Sequence, residues 1–133
     1  MASRYQRSMY SSNRQLNCTA ALEAFDRIHR GTGKRQIQFR TRMSHCADLA
    51  GPLFDRLVGN RSTWLKDVTA ARNEAAHHLE RRVIDGTQQY LLAESVHWLF
   101  VLCMLRVAEV PDAVFTRVES HSAFTWLSNE LRP

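Results

Sequence analysis

Three polar side chains, Arg72, Asn73 and His77, stand close together in AARNEAAHHLE, residues 70–80. The alanines, glutamates and leucine around them predict a helix. Each residue of an α-helix advances about 100° around the axis, so Asn73 and His77, four positions apart, share one face. The arginine lies about 100° from the asparagine. We therefore expect a guanidinium, an amide and an imidazole to converge on one shoulder of a helix.

These three groups could together cleave RNA without a metal ion. A histidine titrates near neutrality and can take or give a proton, so it could activate a ribose 2′-OH as a base. Attack of that oxygen on the neighbouring phosphate yields a 2′,3′-cyclic phosphate and a 5′-OH end. An arginine can hold two phosphate oxygens and stabilise developing charge, and an asparagine can orient the phosphate or the imidazole. A polar cluster without catalytic function at the edge of a helix fits the same residues.

The neighbouring positions divide this helix into a polar and an apolar stripe. The face that meets the core is predicted by an apolar stripe at helical spacing, which consists of Leu65, Val68, Ala75 or Ala76, and Leu79. Arg72 lies close to this stripe. A guanidinium at the edge of a core needs a partner, because an unpaired buried charge is strongly unfavourable. His78 lies about 100° around the axis from the motif histidine, so we treat it as a neighbour and not as a catalyst.

Composition indicates one globular domain that carries excess positive charge. The chain has 133 residues, 44% of them hydrophobic, which suits a single core. Its net charge is +5, and sixteen of its eighteen basic residues are arginine. This bias favours an anionic partner, although a solvated surface would account for it equally well. Three cysteines without a CxxC motif, and aspartates without a DxD cluster, predict no disulfide framework, no metal site and no bound cofactor.

Neither a membrane span nor a signal peptide is expected. The most apolar stretch, WLFVLCML at 98–105, has eight residues, whereas a span needs about eighteen or more. This stretch instead predicts a helix that is buried on most sides. The first residues, MASRYQRSMYSS, contain no apolar signal-peptide core. A cytoplasmic location is therefore predicted.

Apolar spacing predicts how the first part of the chain is organised. Residues 1–12 are polar and are expected to form a tail or the stub of a linker, so that the domain spans residues 13–133. A first helix is predicted over residues 13–30. Its expected apolar stripe consists of Leu16, Ala20, Ala24 or Phe25, and Ile28. The GTGK sequence at 31–34 lacks the spacing of a phosphate-binding P-loop and is expected to be a turn.

Two further helices are expected before and within the motif region. A second helix is marked by Phe39, Met43, Cys46 and Ala50. It begins with the basic run at 34–42, which contains Lys34, Arg35, Arg40 and Arg42, and should stop at Gly51–Pro52. A short apolar piece covers residues 53–58, and Ser62 is the expected N-cap of the helix that carries the motif.

The last part of the chain predicts a core helix and a terminal helix. Residues 83–91 contain Asp85–Gly86 and are expected to form a tight turn with room for a small β-ribbon. The helix over about 88–109 is the most apolar and should be the central core element, ending before Pro111. Asp112 is the expected cap of a last helix that runs through Leu127. Together these elements predict an all-α fold of four or five helices.

The motif and its surroundings resemble a known family. RNEAAH, Arg72–His77, resembles the Arg-Asn-x-x-x-His form of the Arg-x4–6-His motif of HEPN domains, which are small all-α domains and in many cases ribonucleases. The early ALEAFDR helix at 21–27 and the apolar helix YLLAESVHWLFVLCMLRVAEV resemble the ApeA-like branch, found as the C-terminal module of anti-phage defence proteins. The resemblance covers roughly residues 13–133.

This resemblance implies a function and names its residues. Arg72 and His77 match the catalytic pair of the family, and Asn73 matches its common polar position beside the arginine. The implied fold is a four- to five-helix bundle of HEPN type, whose sites from two protomers face each other in a homodimer. Glu23 could pair with Arg72 or line the site. The family also joins this domain to a larger β-rich N-terminal region, so a sensor domain is expected outside this chain.

The leading hypothesis is a metal-independent endoribonuclease that acts as a dimer in anti-phage defence, and two alternatives stay open. The first is a module of the same fold that binds RNA or a nucleotide without cutting it, or that serves in dimerisation. The second is a helical DNA-binding domain that uses the basic run at 34–42. No recognisable helix-turn-helix pair surrounds that run.

Overall fold

The computed structural model describes the backbone of residues 2–76 and 86–132, and the side chains of residues 11, 13–73 and 86–132. Within these residues the protein is all-α, as predicted, with seven helices and no strand. The helices are α1 (Ala2–His29), α2 (Phe39–Ala50), α3 (Pro52–Val58), α4 (Arg61–Ala76), α5 (Gly86–Val107), α6 (Asp112–Ser120) and α7 (Ser122–Leu131). The number exceeds the expected four or five because the short apolar piece is itself a helix and the expected last helix is two.

Helix α1 begins at Ala2, although the apolar pattern predicted its start at Asn13. The backbone is therefore helical through residues that were expected to form a polar tail or linker stub. The physical reason is that residues 2–29 contain no glycine or proline, and polar residues such as arginine and glutamine have good helix propensity. The boundary between linker and domain near residue 13 stays a prediction.

The buried face of α1 is mainly polar, and the predicted apolar stripe was wrong at Ala20 and Ile28, whereas Phe25 packs against the core. Ile28 is 81% exposed and Ala20 is also exposed, whereas the inward face consists of Ser11, Gln15, Thr19, Leu22 and Asp26. Thr19 Oγ1 donates a hydrogen bond to the carbonyl of Gln15, one turn earlier in the same helix, at 2.8 Å, so the buried hydroxyl group has a partner. Polar groups can be buried when they have hydrogen-bond partners. The spacing of apolar residues does not predict such positions.

Helix α5 is the central core element, as predicted. Its inward side chains, among them Leu99 and Leu102, are fully buried. Ser95 is buried as well, because the indole N–H of Trp64 donates to its Oγ at 2.8 Å. By length and composition α5 could cross a membrane, and 39% of its most apolar window is buried inside the protein. The prediction of a tight turn and small ribbon at 83–91 is wrong from Gly86 onward, because the chain is helical there. Residues 83–85 lie outside the described residues.

The turns between helices are formed by residues that only partly match the predictions. Helix α2 ends at Gly51, as expected, with φ +86°. Helix α4 is capped by Asn60, whose Oδ1 accepts from the Thr63 N–H at 3.0 Å. Ser62 was the predicted cap, but it lies inside the helix that Arg61 begins. Asn60, two residues before Ser62, therefore satisfies one of the free N–H groups of the first turn.

The expected last helix is interrupted at His121. This residue is extended, with ψ 134°, and its Nδ1 accepts from the Ala123 N–H at 3.1 Å, so it caps α7. Helix α6 is preceded by Pro111 as its N-cap, so Asp112 is the first helical residue and not the predicted cap. A histidine is an uncommon cap, which is why the pattern predicted one continuous helix.

A buried ion pair joins the first two helices. Arg42 Nη1 donates to Asp26 Oδ2 at 3.0 Å, and the two side chains are 4% and 2% exposed. The same guanidinium reaches the α1–α2 loop (residues 30–38), where it donates to Thr32 Oγ1 at 3.4 Å and to the Arg35 carbonyl at 3.3 Å. One arginine therefore fixes α1, α2 and the loop between them.

Asp26→Asn should destabilise the fold strongly. The change keeps the shape of the side chain but leaves the guanidinium of Arg42 buried without an anion, which lowers the free energy of unfolding by about 3–5 kcal/mol. Urea denaturation followed by circular dichroism measures the change. Glu130→Gln, an exposed carboxylate on α7, is the control and should shift the free energy by less than about 0.5 kcal/mol. Equal shifts in the two variants would contradict a structural role for the pair.

Candidate functional site

A cleft of about 750 Å³ opens where α1, the α1–α2 loop and α4 meet. The charged side chains of its lining are mostly basic. The charged residues that line it are Glu23, Arg27, Lys34, Arg35, Arg42 and Arg72. Five of these six are cations, so the cleft has the electrostatic character of an anion-binding site.

Arg72 is held at this cleft by two different contacts. Its Nη2 lies 3.1 Å from Glu23 Oε1, and its guanidinium carbon lies 4.8 Å from the centre of the Phe39 ring. The arginine side chain is 37% exposed. The Glu23 carboxylate at one edge of the guanidinium and the Phe39 ring at its face limit the positions that the guanidinium can adopt. The predicted need of Arg72 for a partner is confirmed, and the partner is Glu23.

The two partners of Arg72, Glu23 and Phe39, lie on different helices. Glu23 lies on α1, one helical turn before Arg27, and both side chains line the cleft. Phe39 is the first residue of α2. Its position follows directly on the loop that Arg42 fixes, so the buried ion pair also determines where the ring stands beneath Arg72.

The structure describes two of the three predicted motif residues. Arg72 lies in the cleft, while Asn73 is exposed and is not part of the cleft lining. His77 lies outside the described residues, as does His78, and α4 is described as far as Ala76. The predicted convergence of arginine, asparagine and histidine therefore stays a prediction.

The basic run at 34–42 is divided between different environments. Lys34 and Arg35 are exposed on the loop and line the cleft. Arg40 is exposed on α2 outside the cleft lining, and Arg42 is buried in its ion pair. The alternative of a helical DNA-binding domain used this basic run, and the burial of Arg42 removes one of its arginines from the surface. No sequence signal identifies the partner of Arg42, because Asp26 stands sixteen residues earlier.

Two of the three cysteines are buried against each other. Cys103 Sγ donates to the carbonyl of Cys46 at 3.3 Å. The hydrogen bond with Cys103, and then burial, raise the pKa of the Cys46 thiol far above its ordinary value, so it stays protonated and unreactive. Among the described residues no group of three histidine, cysteine, aspartate or glutamate side chains could hold a metal ion.

Comparison with known proteins identifies one family. The family model for Apea-like HEPN domains matches residues 17–114, which are 98 of the 133 residues. The match includes the cleft, the whole of α4 and the whole of α5. No curated protein and no solved structure matches the chain.

Arg72→Ala should leave the fold nearly intact. The substitution removes a partly exposed ion pair and one cation–π contact, so the free energy of unfolding should fall by less than about 1 kcal/mol. Urea denaturation beside Asp26→Asn gives the comparison within one protein. If Arg72→Ala were as destabilising as Asp26→Asn, Arg72 would be a structural residue, as Arg42 is, and not a side chain available to bind a phosphate.

Proposed function

The chain belongs to the Apea-like HEPN family, and we propose on this premise that it is a metal-independent endoribonuclease of anti-phage defence. Its substrate is RNA, which it cuts through attack of a ribose 2′-OH on the adjacent phosphate. The family match supports a nuclease-type module associated with defence. The chemistry itself is our proposal and is argued from the cleft.

The observation that carries the proposal is the position of Arg72 in a basic cleft. The guanidinium is partly exposed and fixed by Glu23 and Phe39. Its contact with Glu23 uses one nitrogen, Nη2, and a guanidinium has five N–H donors. A donor that is oriented before the substrate arrives stabilises transition-state charge without reorganisation. Arg72 would therefore bind the scissile phosphate, with Glu23 and Phe39 as positioning residues.

The other two motif residues complete the reaction. His77 would act in general acid/base catalysis, as the base that removes the proton of the 2′-OH. The 2′-oxygen forms a bond to phosphorus, and the bond to the 5′-oxygen of the next nucleotide breaks. That oxygen takes up a proton from water, in net exchange for the one that His77 removed, which leaves a 2′,3′-cyclic phosphate and a 5′-OH. Asn73 would orient the phosphate or the imidazole.

We further propose that two copies of the chain form a homodimer in the cytoplasm, with a composite site. In this arrangement the second copy of the motif closes a cleft that is open in one protomer. A sensor domain attached before this module would control the activity. Both points extend the family resemblance to this chain.

His77→Ala should abolish RNA cleavage. Loss of a general acid/base lowers the rate about 10²–10⁴-fold, while the helical circular-dichroism signal stays nearly unchanged. His78→Ala is the matched control, because it removes the adjacent imidazole and should retain activity. The assay follows a labelled RNA incubated with concentrated protein.

Undiminished cleavage by His77→Ala would contradict the assignment. RNA that is retained by the wild-type protein but stays intact after long incubation would favour the alternative of a binding module with the same fold. The three exposed cations of the cleft, Arg27, Lys34 and Arg35, are the observation that gives this alternative weight.

A further inference from the structure

The charge of the cleft is only partly balanced by neighbouring carboxylates. Arg42 pairs with Asp26, a carboxylate that Arg30 also contacts, and Arg72 pairs with Glu23. Three cations in the lining remain: Arg27, Lys34 and Arg35. None of the three forms an ion pair with a carboxylate of the described residues. All three are exposed, so a local charge of +3 faces the cleft beside Arg72.

The α1–α2 loop, which carries Lys34 and Arg35, is held in place by hydrogen bonds. Gly31 and Gly33 adopt positive φ values of +64° and +57°, which turn the chain sharply. Thr32 N–H donates to the Arg27 carbonyl at 3.1 Å, and Arg35 N–H donates to the Thr32 carbonyl at 3.1 Å. Arg42 adds its hydrogen bonds to Thr32 and Arg35. The backbone that presents the two cations is therefore fixed, and binding would require little ordering of it.

Like charges held close together repel one another, and an anionic ligand removes that repulsion. We propose that Arg27, Lys34 and Arg35 bind the backbone phosphates of single-stranded RNA next to the scissile phosphate. The three side chains form a phosphate track that leads to Arg72. This inference rests on the proposed function of the same cleft. It identifies the residues that bind the substrate beyond the phosphate at which cleavage occurs.

The cleft favours a single strand over a duplex. A positively charged groove that follows the backbone is the usual way to bind a single strand, and here the cations lie inside a cleft between α1, the loop and α4. Attack by a 2′-OH in line with the departing oxygen also requires a nucleotide that can leave the A-form geometry. A single strand allows this more readily than a duplex.

The track should bind RNA of almost any sequence. Arginine and lysine contacts to phosphate carry no base information. Phe39 is the aromatic residue among the described residues that line the cleft, and Arg72 already lies over its ring. Base stacking on an open aromatic face, a common source of preference in single-strand binding, is therefore not provided by the described lining.

The test measures binding separately from cleavage. A fluorescent 2′-O-methylated oligonucleotide cannot undergo 2′-OH attack, so its affinity for the full chain is measurable whether or not the protein is a nuclease. Lys34→Ala/Arg35→Ala should raise the Kd roughly ten- to thirtyfold at 0.1 M salt. It should also reduce the slope of log K against log salt by about 1.4, since each lost phosphate contact accounts for about 0.7. Arg27→Ala should act in the same direction.

Arg40→Ala/Arg117→Ala is the matched control, because it also removes two charges, and both arginines are exposed and outside the cleft lining. The control should leave the Kd within about twofold. An unchanged Kd in Lys34→Ala/Arg35→Ala, or an equal loss in the control, would overturn the track. Equal affinity for duplex RNA, with the same dependence on Lys34 and Arg35, would overturn the single-strand assignment.

Cleavage assays keep this inference distinguishable from the proposed function. In an active enzyme the Lys34→Ala/Arg35→Ala change should raise KM and leave kcat nearly constant, because the track binds substrate and transition state equally. If wild-type protein leaves RNA intact while the binding difference between the two double variants persists, the nuclease proposal fails and the track stands. If cleavage depends on His77 but the two double variants bind alike, the track fails and the nuclease proposal stands.

Discussion

The ion pair between Asp26 and Arg42 is the constraint on which the cleft depends. Both charges are almost completely excluded from water, and such a pair persists only when its remaining hydrogen-bonding groups find partners. Arg42 finds them in the α1–α2 loop, at Thr32 and at the carbonyl of Arg35. The requirement to satisfy one buried guanidinium therefore determines the path of the loop and the start of α2.

From that constraint the features of the cleft follow in order. The fixed loop presents Lys34 and Arg35 to the solvent, and its end places Phe39 beneath Arg72. Glu23, from the same helix as Asp26, holds one edge of that arginine. Three kinds of charge result from one scaffold: a buried cation for structure, a half-exposed cation held in place, and exposed cations without a carboxylate partner among the described residues. We propose that they serve, in this order, the stability of the fold, binding of the scissile phosphate and binding of the neighbouring phosphates.

The sequence predicted the helices that bury mainly apolar side chains. It did not predict the features that depend on hydrogen bonds and ion pairs between buried polar side chains. Helices α2 and α5 were predicted closely, because most of their buried residues are apolar and recur at helical spacing, with Arg42 and Ser95 as the polar exceptions. The inward face of α1 was missed, since Gln15 and Asp26 are polar, and the burial of Asp26 depends on its ion pair with Arg42. In the cleft, the motif singled out Arg72 and the family resemblance suggested Glu23. The roles of Phe39 and Arg42 could not be read from local pattern, because each depends on contacts between residues far apart in the chain.

The central claim is that this cleft supports cleavage of RNA by 2′-OH attack without a metal ion. Mass spectrometry of the RNA fragments produced by the wild-type chain in excess EDTA tests it most directly. The account predicts that fragments still form, with a 2′,3′-cyclic phosphate at one new end and a 5′-OH at the other. Fragments that end in 5′-phosphate and 3′-OH, or cleavage that disappears with EDTA, would contradict it.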